Sequence, residues 1–393
     1  MSTYFADTTV ESGSIWTSRA PAVFIDPRRT VPQRAGLEAL LREDATIQGF
    51  LLFATSGSTG GLRFACLTRE ALLASARSVN TSLGAQPDDH WFIAVPTWHV
   101  GGFSIFARAR LSGSRVSSFR DSWEPRRFRD ALAAAQSTLC SLVPTQIYDL
   151  VRFQCRSPRH LRVLLAGGAA LDPRLHEQAL QLGWPVRATF GMTETASQIA
   201  AQRRSAVEAP LLVLDGWQVR EGPDALLEVR GPALFSGCLE LDPANRWRFQ
   251  PGPADSAWFT TADHVRLTAA DQETSLQFLG RSAARLKIKG ELVQLDCLRL
   301  RWTALAPEAG NSSVLTARKH PRDGWEIVVA LEPDCPALNN AVAAFNAQVT
   351  GCERIRALCP VPSIPRTFLG KTDESALHLL VDDGRERSDG KTN

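Results

Sequence analysis

Apolar and polar positions alternate along residues 49–200 in blocks that predict strands and helices in turn. The short apolar runs that predict strands cover residues 49–54, 90–96, 138–144, 161–168 and 186–191. The amphipathic runs that predict helices cover residues 68–83, 124–136 and 172–183. Thr68 stands where it would cap the first of these helices. This alternation is typical of an α/β domain with largely parallel strands.

Residues 205–280 differ, because their short alternating segments are broken by glycine and proline. This pattern predicts a small antiparallel β-rich subdomain. A charged stretch follows, and we predict a domain boundary near Ser282, between a large domain of residues 1–281 and a small α+β domain of residues 282–393. The strand and the helix predicted in the small domain cover residues 326–332 and 339–349. The last 20 residues of the chain, 374–393, are expected to be disordered.

Length and composition favour a multidomain globular enzyme. A chain of 393 residues exceeds one ordinary core, and the formal charge of +3 comes from dispersed basic residues that give no reason to expect nucleic acid. The eight cysteines lack zinc-site spacing and are expected to be reduced. The first residues do not have the pattern of a secretory signal, and the longest apolar stretch, residues 90–109, is interrupted by Pro96, His99 and Arg108. A cytoplasmic protein without a membrane span is therefore expected.

A cluster of hydroxyls and glycines at residues 55–61 is the strongest local signal. Its members are Thr55, Ser56, Gly57, Ser58, Thr59, Gly60 and Gly61. Because the cluster lies between a predicted strand and a predicted helix, its amides and hydroxyls would suit the oxygens of a polyphosphate. It lacks the Lys-Ser/Thr ending of a P-loop, and a plain linker is the alternative interpretation.

The segment 190–195 places an aromatic ring, a glycine, hydroxyls and a carboxylate at the end of a predicted strand. Phe190 would stack on a purine, Thr193 would donate to a phosphate, and Glu194 would hold the Mg²⁺ that accompanies ATP. A strand end followed by a helix cap is the alternative interpretation.

Four further residues do not by themselves indicate a functional site. His99 precedes two glycines, but a lone histidine among apolar residues is usually a core residue. Asp263 and Arg281 would by default be an exposed strand-end carboxylate and a surface cation. Lys371 follows a proline and a glycine in a predicted loop, where it would bridge a carboxylate and a phosphate or simply be solvated.

Taken in order, these segments resemble the adenylate-forming superfamily of acyl-CoA synthetases, luciferases and peptide-synthetase adenylation domains, from about residue 49 to residue 373. The resemblance implies an acid:CoA ligase that makes an acyl-adenylate from a carboxylic acid and ATP with Mg²⁺, then transfers the acyl group to coenzyme A. Residues 166–200 are most similar to o-succinylbenzoate–CoA ligases of menaquinone biosynthesis. The alternatives are another aryl or acyl acid, a carrier-protein phosphopantetheine as the acceptor, or a non-catalytic adenylate-binding homologue.

Carried over residue by residue, the resemblance implies a role for each motif. The nucleotide would be bound by Thr55, Ser56, Gly57, Ser58, Thr59, Gly60, Arg63, Gly168, Phe190, Gly191, Asp263 and Arg281. The catalytic residues would be Lys371, His99, Thr193 and Glu194, with Lys371 serving adenylation and Glu194 holding Mg²⁺. The acid would contact His99, Thr195, Ser197 and Gln198. Rotation of a mobile small domain would bring Lys287 and Gly290 to the site for thioester formation.

Several positions depart from the family's pattern. Leu62-Arg63 stands where Pro-Lys is common, Ala262 replaces a glycine, and Ala283 occupies the hinge. Family members also carry more residues before the phosphate loop, so the resemblance implies a shortened N-terminal part. We expect its exposed flank to be covered by another subunit in a homo-oligomer.

Overall fold

The computed structural model describes residues 13–28, 30–56, 62–254, 257–270, 273–281, 285–288, 291–320, 323–349, 351–367 and 372–389. The strands are β1 (Ala22–Phe24), β2 (Leu51–Ser56), β3 (Leu62–Leu67), β4 (His90–Ile93), β5 (Arg115–Ser118), β6 (Leu139–Leu142), β7 (Val163–Ala166), β8 (Val186–Met192), β9 (Ser197–Ala201), β10 (Leu211–Val213), β11 (Gln218–Glu221), β12 (Leu226–Arg230), β13 (Gly237–Leu241), β14 (Trp247–Pro251), β15 (Phe259–Ala270), β16 (Glu273–Arg281), β17 (Arg285–Ile288), β18 (Glu291–Gln294), β19 (Ser313–His320), β20 (Gly324–Leu331) and β21 (Ile355–Pro360).

The α-helices are α1 (Arg34–Glu43), α2 (Arg69–Leu83), α3 (Val100–Ser112), α4 (Pro125–Ala134), α5 (Pro144–Arg152), α6 (Pro173–Gln181), α7 (Leu295–Leu305), α8 (Asn339–Asn346) and α9 (Glu374–Asp389). Contacts divide the chain into two units. Unit 1 comprises residues 1–220, 228–260 and 267–277, and unit 2 comprises residues 221–227, 261–266 and 278–393. Among the described residues, no helix is long and apolar enough to cross a membrane.

The parallel strands predicted from the alternating pattern are present in unit 1. Strand β4 pairs in parallel with β5 and β6, β6 with β7, and β7 with β8. Helices α4, α5 and α6 cover one face of these strands, and their apolar residues form a core around Phe128 and Trp184. Thr68 caps α2 as predicted, since its hydroxyl accepts the Ala71 N–H at 3.0 Å. The α/β prediction for this region is confirmed.

The connection after β2 was predicted incorrectly. The cluster at residues 55–61 does not lead from a strand into a helix, because β3 follows it and pairs antiparallel with β2, from Leu51↔Leu67 to Ser56↔Leu62. Helix α2 begins only after β3. The run LRFACL has the length and apolar character of a strand, and Phe64 and Cys66 enter the core beneath this sheet. The cluster, called the hairpin tip, therefore connects two antiparallel strands rather than a strand and a helix.

Strands from residues 205–280 join two sheets instead of forming one of their own. In the described part of the chain, β13 and β14 complete a sheet of order β1-β2-β3-β13-β14. The others extend the large sheet, whose order among the described residues is β11-β12-β15-β16-β10-β9-β8-β7-β6-β4-β5. Strand β9 runs antiparallel to β8, and the parallel core ends at that pair.

Unit 2 has its own core. Strands β19, β20 and β21 form a sheet in which β20 contains the predicted strand 326–332 up to Leu331, and α8 confirms the predicted helix. Apolar residues of α7 and α8, including Trp302 and Phe345, pack on one face of the sheet. The expectation of a disordered end was wrong for residues up to 389, because α9 buries Leu377 and Val381 on the sheet.

Candidate functional site

The turn between β8 and β9 carries the predicted segment 190–195. A 3-10 helix, Thr193–Thr195, joins the two strands. The register shifts between Phe190 and Gly191, and a Cβ atom on Gly191 would lie only 1.7 Å from the carbonyl oxygen of Ser197. The glycine in this motif is therefore required by the close approach of the two backbones.

Thr195 closes this turn. Its side chain is fully buried, and its hydroxyl donates to the Met192 carbonyl at 3.0 Å and accepts the Met192 N–H at 3.2 Å. The next two residues, Ala196 with φ 51° and Ser197 with φ 128°, adopt backbone conformations that residues other than glycine rarely take. The Thr195 hydroxyl is thus engaged by the turn, and the backbone strain lies where acid contacts are predicted.

Thr193 and Glu194 are half-buried on the 3-10 helix, beside the first sheet of unit 1. The Glu194 carbonyl accepts the Phe235 N–H at 2.8 Å, and the next amide, Ser236 N–H, donates to the Cys66 carbonyl on β3 at 2.9 Å. Two consecutive amides therefore connect the segment 193–195 to the strand that follows the hydroxyl and glycine cluster. The segment 193–195 thus lies beside β3.

Arg63 lies at the base of the hairpin tip, paired with Thr55 across β2 and β3. Its Nε atom is 3.9 Å from the Glu240 carboxylate on β13. Burial raises the pKa of the neighbouring Cys238 thiol; the Arg63 charge partly offsets this, and the Glu194 charge adds to it. The predicted positions Gly57, Ser58, Thr59 and Gly60 lie outside the described residues, as does the side chain of Ser56.

Gly168 and Phe190 lie at one edge of the large sheet. Gly168 follows β7 with φ +83°, which favours glycine, and a Cβ atom on Gly167 would lie 2.9 Å from the Thr189 Oγ1 on β8. Because β7 and β8 are parallel neighbours, their carboxyl ends meet at this edge. Such edges bind ligands in open α/β sheets. Two of the residues predicted to bind the nucleotide are therefore adjacent.

His99 is the residue before α3 and takes part in the start of that helix through its backbone. Its carbonyl accepts the Gly102 N–H at 3.1 Å and the Phe103 N–H at 3.0 Å. A Cβ atom on Gly102 would lie 2.3 Å from the Pro96 carbonyl oxygen, so the loop between β4 and α3 packs tightly on the helix start. The half-buried ring lies next to Trp98, with the two ring centroids 6.3 Å apart.

Arg108 on α3 is a polar residue that sequence reasoning missed as a site candidate. The side chain is 1% exposed, and its Nη2 donates to the Ser197 Oγ at 3.1 Å. Its guanidinium lies over the Trp91 ring, 5.5 Å from the centroid, and its Nε has no hydrogen-bond partner among the described residues. Complete burial lowers the pKa of Arg108 to about 9. A signal existed in the sequence, because Arg108 is a charged residue within the apolar run 90–109.

Gln198 on β9 is a second buried polar residue with a side-chain atom that has no described partner. Its side chain is 6% exposed, and its Oε1 has no hydrogen-bond partner in the described part of the chain. Its backbone carbonyl accepts the Trp217 Nε1–H at 3.1 Å. Buried polar atoms are normally paired, so an amide oxygen without a described partner indicates a place for a polar ligand.

In unit 2, Asp263 and Arg281, two of the residues predicted to bind the nucleotide, form an ion pair with each other. The Arg281 Nε donates to the Asp263 Oδ1 at 2.7 Å, and the Asp263 side chain is 4% exposed. The Arg281 N–H donates to the Asp296 carboxylate at 3.0 Å. Lys371 and Gly290 lie outside the described residues, and so does the side chain of Lys287.

Glu194 has the chemistry that Mg²⁺ with ATP requires. Mg²⁺ in such sites takes one or two carboxylates and completes its shell with phosphate oxygens and water. Over the residues that the structure describes, no group of three or more His, Cys, Asp and Glu side chains could hold a metal ion by itself. A single half-buried carboxylate fits an ion that arrives with the nucleotide.

Comparison with known proteins identifies a family and relatives that match part of the chain. Residues 43–219 match the AMP-binding enzyme family. The 2-succinylbenzoate–CoA ligase of Bacillus licheniformis is 29% identical over 245 residues, which is 59% of this chain and 49% of the relative. That of Bacillus cereus is 29% identical over 292 residues, 70% of this chain and 59% of the relative. The chain thus spans about half to three fifths of the length of these relatives.

The fold is also similar to solved structures. A variant of E. coli MenE with bound OSB-AMS superposes with a TM-score of 0.69 at 25% identity, over 85% of this chain and 69% of that one. MenE from Bacillus subtilis in complex with ATP and magnesium ion gives a TM-score of 0.68 at 21% identity, over 83% and 69%. The mixed α/β fold with a large sheet-rich part and a smaller C-terminal part is confirmed, and by its sequence over residues 43–219 the chain is related to the AMP-binding enzymes, as its motifs predicted.

Proposed function

We propose that this protein is an AMP-forming acid–CoA ligase that converts o-succinylbenzoate to o-succinylbenzoyl-CoA. In the first step an acid oxygen attacks the α-phosphorus of ATP and pyrophosphate leaves; in the second the thiol of coenzyme A attacks the acyl carbon and AMP leaves. The family match over residues 43–219 and the names of the relatives support the reaction class. The observation that carries the choice of acid is the buried cation Arg108 beside Ser197.

Arg108 supports an acid with two carboxylates. A buried guanidinium costs free energy unless an anion or several acceptors compensate it. Its Nη2 has only a hydroxyl, its Nε has no described partner, and no described carboxylate forms an ion pair with it. o-Succinylbenzoate reacts at its aliphatic carboxylate and keeps an aromatic carboxylate, which would supply the missing anion.

The residues around the start of β9 are proposed to bind or support the acid as well. Ser197 orients Arg108 through its hydroxyl, and Gln198 offers a buried amide whose oxygen is unused among the described residues. Thr195 supports the site by holding the turn, because its hydroxyl is bonded to backbone. His99 would border the acyl group from the start of α3.

The nucleotide roles remain those that the resemblance implies. The hairpin tip, with Thr55 and Arg63 at its base, would bind the β- and γ-phosphates. Gly168 and Phe190 would face the adenine, and Thr193 would donate to the α-phosphate. Mg²⁺, held by Glu194, would supply the charge that balances the phosphates.

The remaining nucleotide and transfer roles belong to unit 2. Asp263 and Arg281 would bind the ribose hydroxyls, and Lys371 would stabilise the charge of the adenylation step. A domain of residues 282–393 would then rotate to bring Lys287 and Gly290 to the adenylate for transfer to coenzyme A. We further propose a cytoplasmic location and a homo-oligomer.

Acid-dependent exchange of labelled pyrophosphate into ATP tests the first step without coenzyme A. The protein with Mg²⁺-ATP is given o-succinylbenzoate, benzoate or a fatty acid. The proposal expects exchange that is fastest with o-succinylbenzoate. Faster exchange with another acid would keep the reaction class and refute the substrate, and no exchange with any acid would refute both.

A further inference from the structure

A row of polar side chains crosses the first sheet of unit 1 directly below the hairpin tip. Thr55 on β2 pairs with Arg63 on β3. Strand β13 lies on the other side of β3 in antiparallel register, with Cys238↔Ala65 and then Leu239↔Phe64. The next position along β13 is Glu240, whose carboxylate lies 3.9 Å from the Arg63 Nε. Thr55, Arg63 and Glu240 lie on one face of the sheet, because residues directly opposite each other on neighbouring strands point to the same side.

Glu240 is therefore a carboxylate that faces the one described cation at the base of the hairpin tip. The ion pair is partly open to water, with 33% of the Arg63 side chain and 44% of the Glu240 side chain exposed. An exposed pair at this distance is weak, since solvent screens it. It contrasts with Arg162 and Asp89, where the nitrogen and oxygen are 2.5 Å apart and the carboxylate is 5% exposed. The Arg63 guanidinium also has a side-chain hydrogen bond with the Cys238 thiol. Neither a thiol nor a solvent-screened carboxylate binds it as strongly as a polyphosphate would.

We infer that Glu240 is a positioning residue that holds Arg63 at the phosphate site in the free protein and competes with ATP for it. This inference rests on the proposed function. Polyphosphate carries more charge than one carboxylate and takes up the guanidinium in its place. The displaced carboxylate then remains beside the bound phosphates, where like charges repel. Glu240 therefore weakens ATP binding and favours release of pyrophosphate, without contacting the acid.

The test measures binding of Mg²⁺-ATP by calorimetry, and steady-state kinetics, for Glu240→Gln and for a matched control. Glu177→Gln removes the same charge from the exposed face of α6. From the strength of exposed ion pairs, we expect Glu240→Gln to lower the Kd and KM for Mg²⁺-ATP about two- to five-fold. The KM for the acid should not change, and kcat should not rise. The control should match the wild type, and the gain should shrink as salt is added.

A second variant shows whether Glu240 acts through Arg63. In an Arg63→Gln background, adding Glu240→Gln should change ATP affinity less than it does in the wild type, because the competed cation is gone. Glu240→Asp should restore an affinity close to the wild type. Unchanged or weaker ATP binding in Glu240→Gln, or an equal effect in both backgrounds, would overturn the inference while the ligase proposal stands. A wild-type protein that binds no Mg²⁺-ATP would instead overturn the proposed function.

Discussion

Replacing Arg108 by methionine should separate substrate recognition from stability. The side chain is 1% exposed, so its interactions are little screened by water. The Nη2 already donates to Ser197, whereas the buried Nε has no described partner. The Nε is therefore the atom that we expect to donate to the acid. One hydrogen bond to a charged group contributes about 1.5–3 kcal/mol. Since about 1.4 kcal/mol is a factor of ten, Arg108→Met should lower kcat/KM for o-succinylbenzoate about 10- to 150-fold.

The control is an acid that lacks the second charge. 4-Oxo-4-phenylbutanoate has the same reacting carboxylate without the aromatic one, so its kcat/KM should hardly differ between Arg108→Met and wild type. Pyrophosphate release measures both acids. The melting temperature should not fall, because an apolar side chain of similar length replaces a buried cation that no described carboxylate compensates. Equal losses for both acids, or no loss for either, would refute the assignment.

Three further predictions follow from particular contacts. Gly191→Ala places a Cβ atom 1.7 Å from a backbone carbonyl and should cost about 3 kcal/mol of unfolding free energy in urea melts, whereas Gly101→Ala, which meets nothing within 4 Å, should be tolerated. Burial raises the pKa of Asp89, but hydrogen bonds from Arg162, a hydroxyl and an amide outweigh this and lower it. The ionised Asp89 therefore stabilises the fold above the ordinary carboxyl pKa, and this stabilisation is lost as pH falls below about 4. Asp89→Asn should lower the free energy of unfolding by about 2 kcal/mol at neutral pH. In melts at different pH, the stability of the variant should also depend less on pH in the acid range than that of the wild type. Lys371→Ala should slow adenylation about 100-fold and slow thioester formation from a preformed adenylate far less, so equal losses in single-turnover assays would contradict its assignment.

The sequence predicts the parallel half of the large sheet well, because apolar runs and amphipathic helices alternate there at distinct periods. It also identifies Thr68 as a helix cap, since capping is a local interaction of one hydroxyl with a nearby amide. The hairpin of β2 and β3 was missed for the opposite reason. An apolar strand of six residues that follows a glycine-rich turn has no period that distinguishes it from the start of a helix.

Long-range contacts explain what else the sequence leaves undetermined. Arg108 and Ser197 are separated by 88 intervening residues yet hydrogen-bonded, and no local pattern predicts that pairing. Glu240 reaches Arg63 only because β13 adds to the edge of β3, and that pairing was not predicted for the β-rich segment. The motif 190–195, by contrast, was found from its residue types alone. Its glycine is required by the backbone, which is the kind of constraint that a single sequence position reveals.

Mass-spectrometric identification of the products tests the central claim most directly. The purified protein is incubated with Mg²⁺-ATP, coenzyme A and a mixture of o-succinylbenzoate, 4-oxo-4-phenylbutanoate, benzoate and a fatty acid in equal amounts. The account predicts AMP and pyrophosphate in equal amounts, with o-succinylbenzoyl-CoA as the dominant thioester. A thioester of another acid as the main product would contradict the role given to Arg108, and the absence of any adenylate or thioester would contradict the assignment of this chain as a ligase.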